Sequence, residues 1–268
     1  MNSVELFKDL WSAYSYITPS AKKVKDLFIS EGEEVFNDHI AFRTLNDPRV
    51  NINAVSNHLI QLGFVEGGEY HFPEKKLFAK HFYHPKDETL PKVFISQLLI
   101  EEFSITVQSI LKNCLNEVNF DKVSPVTLLT GGRLWSMPSY ELYQTLRKES
   151  EYAAWFYLYG FIANHFTVDT NKLKKFSSLR EVNNHLEANN FRLNSSGGKI
   201  KGGSEVYLEQ SSTIADMIEM NFEEGRFPVP TCFYEFSYRF DKETGELFQG
   251  FVADSANKIF ESTDLGMQ

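Results

Sequence analysis

Apolar residues recur every three or four positions over the first thirty residues: Leu6, Leu10, Tyr14 and Ile17, then a second run over residues 21–29. That spacing is the stripe of an amphipathic helix, and Pro19 punctuates it into two. The period then shortens. Residues 39–44 read as a strand. Residues 51–62 return to helical spacing, with Ile52, Val55, Leu59 and Leu62 on one stripe and Gly63 as the stop. Three short strands follow at residues 64–70, 77–83 and 93–99. Residues 38–100 thus spell strand, helix, strand, strand, strand.

From residue 101 to residue 160 the pattern is helical again. Val107, Ile110, Leu111, Cys114 and Leu115 make one stripe, and Tyr140, Tyr143, Leu146 and Arg147 another. Thr130-Gly131-Gly132-Arg133 reads as a turn between them. The strand signal resumes at residues 161–168. It is followed by a helix at 179–188, a short strand at 191–193, a Gly/Ser/Lys loop at 195–203, and strands at 205–209 and 231–240. The order of the first unit repeats, and letters repeat with it. Asn57-His58-Leu59 returns as Asn184-His185-Leu186, and Phe64 as Phe191, both at an offset of 127, while His39 and His165 lie 126 apart. A fixed offset across an unrelated insert is the mark of a duplicated unit. The expectation is a single α+β domain over 1–268. N-terminal helices occupy 1–37, a first βαβββ unit 38–100, a helical insert 101–160, a second unit 161–241 and a tail 242–268. The two units form one curved sheet.

Composition narrows the function. Asp and Glu number 36 against 27 Lys and Arg, a formal charge of −9, which argues against nucleic acid and against an anionic membrane surface as partners. Two cysteines, Cys114 and Cys232, build neither a disulfide framework nor a metal knuckle. The longest apolar run, residues 152–163, is too short to span a bilayer, and the N-terminus lacks the apolar core of a signal peptide. A cytoplasmic globular protein is expected, its core rich in the 24 phenylalanines.

Chemistry enters with the duplication. A pseudo-two-fold brings His39 and His165, each on the first strand of its unit, toward one cavity. Alternation puts Ala41 and Arg43 on the face of His39, and Ser237 and Arg239 on the face of Glu235. Glu235 sits in an aromatic strand, where an unpaired carboxylate is expensive to bury. His39, His165 and Glu235 would make the two-His, one-carboxylate set of non-haem Fe(II) oxygenases, with positions open to substrate and O₂. Arg43 lies about 13 Å along the strand from His39 and can reach back to grip a substrate carboxylate. The bland readings are core histidines and a Glu235–Arg239 ion pair.

Asp38-His-Ile-Ala-Phe-Arg-Thr44, Asn164-His-Phe-Thr-Val168, Phe233-Tyr-Glu-Phe236 and the tail Gly250-Phe-Val-Ala-Asp-Ser-Ala-Asn-Lys-Ile-Phe-Glu-Ser-Thr263 resemble the 2-oxoadipate dioxygenase/decarboxylase family. That family is related in architecture to the vicinal oxygen chelate superfamily. The resemblance runs from about residue 5 to 265 and marks the chain as a short, bacterial-type member. It implies Fe(II) held by His39, His165 and Glu235, with Zn or Ni able to replace it in crystals. It implies that the 2-oxo acid binds at these ligands and at Arg43. It also implies conversion of 2-oxoadipate and O₂ to 2-hydroxyglutarate and CO₂, a step of lysine breakdown. The chain is shorter than the characterised enzymes.

Other residues take structural readings. Odd spacing sets His81 and His84 on opposite faces, so they are left out of the metal set. His71 is expected to face solvent, His58 and His185 to pack helices on the sheet, and Cys232 to lie in the core. Residues 195–203 read as a hairpin that could serve as a lid. Two rival functions stay open: a non-oxidative metal-dependent lyase or isomerase of the same shape, and a carboxylate-binding module without turnover. The oligomeric state is left open.

Overall fold

The computed structural model describes residues 1–252. The tail motif expected over residues 253–263 lies outside the described residues. Two helices open the chain, α1 (Ser3–Ile17) and α2 (Pro19–Ser30). Asn2 caps α1 by accepting the Glu5 N–H while the Glu5 carboxylate accepts the Asn2 N–H. The first unit follows as β1 (Asn37–Leu45), α3 (Ile52–Gln61), β2 (Val65–Phe72), β3 (Leu77–Tyr83) and β4 (Lys92–Leu98). The insert is helical, with α4 (Ile105–Asn116), α5 (Thr127–Thr130), α6 (Tyr140–Glu149) and α7 (Glu151–Tyr159). The second unit comprises β5 (Ala163–Asp169), α8 (Leu179–Ala188), β6 (Lys201–Gly203), β7 (Leu208–Ser212) and, after an added hairpin β8 (Met217–Phe222)–β9 (Gly225–Pro230), β10 (Phe233–Arg239).

One curved eight-stranded sheet carries both units in the order β2-β3-β4-β1-β5-β10-β7-β6. Read outward from the centre, each half repeats first, fourth, third and second strand. β1 runs parallel to β4 and β5 parallel to β10, while β1 and β5 join the halves antiparallel. The sheet has two buried faces. On one, Phe166 and Tyr234 pack against Trp11 and Tyr14 of α1, and Phe236 against Phe28 of α2. Alternation sends His165, Thr167, Phe233 and Glu235 to the other, concave face. Tyr152 of α7 closes one end of that face. Its hydroxyl donates to the Ser96 carbonyl at 2.6 Å and accepts the Thr44 N–H at 2.9 Å.

Three expectations in the second unit need correction. Residues 191–193 form no strand; Leu193 makes a single bridge to Thr213. The strand expected over 205–209 begins at Leu208 and runs to Ser212, because Ser204–Val206 is a 3-10 turn and Tyr207 takes a left-handed backbone. The expected loop over 195–203 ends in β6, which pairs with β7. Glycine-rich strands carry no alternation for a sequence pattern to register. The β8–β9 hairpin went unread for a related reason. Its proline- and charge-interrupted sequence lacks a clean period, yet it packs on the insert through a Tyr140–Phe227 stack with centroids 3.8 Å apart.

Candidate metal centre

Strand register builds the site. β5 lies between β1 and β10, so Thr167 pairs with His39 on one side and with Glu235 on the other. His165 is two residues back on the same face of β5. One ligand atom from each of His39, His165 and Glu235 lies within 4.8 Å of the others, and all three residues are buried. Glu235 Oε1 stands 3.6 Å from His39 Nε2, and Oε2 stands 3.2 Å from His165 Nε2.

The residue before each histidine orients it. His39 Nδ1 lies 2.7 Å from Asp38 Oδ1, and His165 Nδ1 lies 3.0 Å from Asn164 Oδ1. Each ring donates its Nδ1–H there, which leaves the Nε2 lone pair aimed inward. A register shift in β1 between Asn37 and His39 lets Asp38 lie beside its neighbour instead of opposite it. Asp38 is in turn gripped by Arg239, Nε to Oδ2 at 2.6 Å and Nη2 to Oδ1 at 2.9 Å. Burial works against the Asp38 charge, but the guanidinium prevails and holds the carboxyl well below its usual range.

The donor set fits a divalent cation. Two imidazole lone pairs and both carboxylate oxygens face one another, all of them acceptors. The protons supplied from the described residues come from the Gln210 amide, donating to Glu235 Oε1 at 2.6 Å, and the Thr167 hydroxyl, donating to His39 Nε2 at 3.0 Å. Burial, with His39 and Arg43 adding to it, keeps His165 neutral by pushing its pKa well down. Burial also raises Glu235 above the ordinary carboxylate range. A cation relieves both penalties.

Arg43 is buried on the same face of β1. Its guanidinium carbon lies 5.0 Å from the Tyr152 ring and 5.1 Å from the Trp155 ring, and burial lowers its pKa to about 10. Arg239 does not pair with Glu235, as the bland reading had it; it serves Asp38. His81 is left outside the ligand set, yet it is buried and hydrogen-bonds the Tyr70 hydroxyl at 2.9 Å. Burial, Lys92 and Arg239 lower its pKa to about 4. The sequence reading gave no role to Asp38, Asn164, Thr167 or Gln210, and it set Arg239 against Glu235 instead of Asp38. The signal for the first two was present, since each stands immediately before its histidine in the repeat.

A cavity of about 600 Å³ adjoins the centre, lined among others by Tyr70, His81, Lys92, Arg239 and Gly250. Among the described residues no helix is long and apolar enough to cross a membrane.

The chain is similar to several known proteins. The family model described as 2-oxoadipate dioxygenase/decarboxylase matches residues 3–240. A 2-oxoadipate dioxygenase/decarboxylase of the chloroplast and amyloplast of Oryza sativa subsp. japonica is 33% identical, over 96% of this chain and 78% of the rice protein. The crystal structure of a hydroxyglutarate synthase from Oryza sativa in complex with 2-oxoadipate superposes with a TM-score of 0.91 at 32% identity, covering 97% of this chain and 91% of that one. A Shewanella frigidimarina NCIMB 400 structure, described only as a candidate hydrolase, superposes at 0.88 with 45% identity, covering 94% of this chain and 98% of that one. A glyoxalase-superfamily structure from Ralstonia eutropha JMP134, 19% identical over 92% of this chain and 85% of that one, shares the fold at a TM-score of 0.75. The curved, duplicated sheet is thus of the vicinal oxygen chelate kind, and the chain belongs to the 2-oxoadipate dioxygenase/decarboxylase family.

Proposed function

We propose that this enzyme carries out the Fe(II)-dependent oxidative decarboxylation of a 2-oxo acid, 2-oxoadipate first among them. The observation that carries the reading is the convergence of His39, His165 and Glu235 on the strand face that also bears Arg43. His39, His165 and Glu235 would hold the metal. When bound, Fe(II) would supply open positions for a 2-oxo acid and O₂ and the electrons to activate O₂. The overall reaction balances as 2-oxoadipate plus O₂ giving 2-hydroxyglutarate plus CO₂, with both atoms of O₂ retained in the hydroxy acid.

The chain's own groups do the positioning. Arg43 would receive the carboxylate at the far end of the substrate. A six-carbon diacid spans roughly 6 Å, and a guanidinium on a long stem bridges the rest of the interval along β1. Lowered by burial to about 10, the guanidinium stays charged at neutral pH. The Tyr152 and Trp155 rings beneath it keep water out and so strengthen its hold on an anion. Asp38 and Asn164 keep both imidazoles in the ligating tautomer. Holding both ends of the acid fixes the keto carbon without a second substrate to supply the carboxylate.

The test is direct. Metal-free protein is loaded with Fe(II) without oxygen, given 2-oxoadipate, then exposed to O₂. One O₂ consumed per CO₂ released, absent in Glu235→Ala, is the expected result. Uptake with a different 2-oxo acid would move the substrate. No uptake with any 2-oxo acid, despite tight iron binding, would sink the oxidative reading in favour of a lyase or isomerase.

A further inference from the structure

The two oxygens of Glu235 are not equivalent. Both face the histidines, Oε1 at 3.6 Å from His39 Nε2 and Oε2 at 3.2 Å from His165 Nε2. Oε1 accepts the Gln210 amide N–H at 2.6 Å. Oε2 is buried and has no hydrogen-bond partner among the described residues. A carboxylate only accepts, so the nitrogen of the Gln210 amide is the atom that faces it.

Strand pairing holds Gln210 there. It lies on β7 between Ser237 of β10 and Lys201 of β6, two residues before Ser212, the partner of Glu235. That spacing puts its buried side chain on the concave face, one step along from the carboxylate. In the other half of the sheet Phe94 stands at the position of Glu235. Ala79, paired with Ser96, stands at that of Gln210, paired with Ser237. The amide thus accompanies the carboxylate and is absent from the half that lacks it. It is also neutral. A lysine or arginine in its place would pair with Glu235 and compete with a metal for the negative charge.

In an octahedral shell, His39, His165 and one oxygen of Glu235 would leave three positions. A 2-oxo acid takes two of them through its carboxylate and keto oxygens, and O₂ takes the last. If Glu235 bound through both oxygens, the acid would fill the shell and O₂ would have no place.

We infer that Gln210 is a positioning residue: it keeps Glu235 a one-oxygen ligand, with Oε2 to the metal and Oε1 to the amide, and so keeps a position for O₂. The inference rests on the oxidative reading above. The amide proton draws electron density from Oε1 and fixes the rotation of the carboxylate, which leaves Oε2 the better donor. Gln210 acts through Glu235 and touches neither metal nor substrate.

The test uses the full chain. Infrared difference spectra of Zn(II)-loaded minus metal-free protein read the carboxylate stretches, widely split for a one-oxygen ligand and narrowly split for a two-oxygen one. Wild type should show the wide splitting. Gln210→Met keeps the length of the side chain and removes the donor, and its splitting should narrow. Its metal content should stay close to wild type, as should its 2-oxoadipate affinity, measured by calorimetry on the Zn(II) protein. Nitric oxide, a stand-in for O₂, should bind the anaerobic Fe(II) and 2-oxoadipate complex about tenfold more weakly in Gln210→Met, read by electron paramagnetic resonance. Gln210→Asn, whose amide stops a methylene short of Oε1, should behave in the same way and serves if the methionine variant does not fold. Narrow splitting in wild type overturns the inference with no variant needed. Wild-type nitric oxide affinity in either variant overturns it too. Wide splitting in a wild type that binds neither 2-oxoadipate nor nitric oxide overturns the oxidative reading, and the inference with it.

Discussion

In the half of the sheet built from β1 to β4, His39 leans on a carboxylate that Arg239 neutralises from the opposite half. In the half built from β5, β6, β7 and β10, His165 leans on the neutral amide of Asn164. The fourth strands differ more. β10 presents Glu235, and β4 presents Phe94 at the equivalent register. One fold used twice would make a symmetric four-ligand cage. With Phe94 where a second carboxylate would stand, His39, His165 and Glu235 would hold a metal from one side and leave an apolar flank on the other, as a centre needs if substrate is to occupy the remaining positions. The duplication supplies convergence, and the departure from it supplies an opening.

The largest effects should come from altering that inequality. Glu235→Ala should abolish turnover, by about 10³-fold or more, or at least about 4 kcal/mol, with metal content falling alongside; metal analysis and O₂ uptake read both. Restoring symmetry should fail in the opposite manner. Phe94→Glu should bind Zn(II) more tightly than wild type in a competition titration and show no O₂ uptake. Asp38→Asn makes the first half resemble the second, but strands a buried Arg239. Urea unfolding should show a loss of about 3 kcal/mol, and Zn(II) affinity should drop about tenfold. Arg43→Lys keeps the charge and loses the planar fork. Its kcat/KM for 2-oxoadipate should fall about thirtyfold, or about 2 kcal/mol.

The smallest effect concerns His81, which Ser212 replaces in the second half; both stand cross-strand from the Phe94/Glu235 position. The His81 pKa is lowered to about 4 from 6.5, chiefly by burial. The unfolded chain therefore binds a proton first, and stability falls as pH drops through 6.5 until it levels near 4. Between pH 7 and pH 5 this group should remove about 2 kcal/mol. Urea titrations of His81→Gln should show a correspondingly shallower pH dependence. An equal slope in the two proteins would mean that His81 is not held neutral by its surroundings.

Much of this was legible in the chain. The helical stripe of Leu6, Leu10 and Tyr14, the strands at 77–83 and 93–99, and the paired histidines were read from spacing, because burial imposes a period on the residues that face a core. The motif around His39 and Arg43 carried the family likeness. The glycine-rich β6, the offset start of β7 and the β8–β9 hairpin were not legible, because strands without alternation are specified by their neighbours. The tail residues 248–251 fold over the centre through bonds to Arg239 and Tyr70, which no local pattern announces.

What the sequence determined by itself was the inventory: two equivalent histidines, a carboxylate in an aromatic strand, an arginine four residues after the first histidine. It also determined that these lie on elements of a repeated unit. Which groups meet was decided by tertiary structure. Adjacency across β5 brings Glu235 to His39 from 196 positions away, and register makes Phe94 its counterpart. Arg239 was drawn to Asp38 and not to Glu235 because a buried guanidinium settles on the carboxylate that offers two parallel hydrogen bonds. Period records which face of an element is buried; only the pairing of strands records what that face will touch.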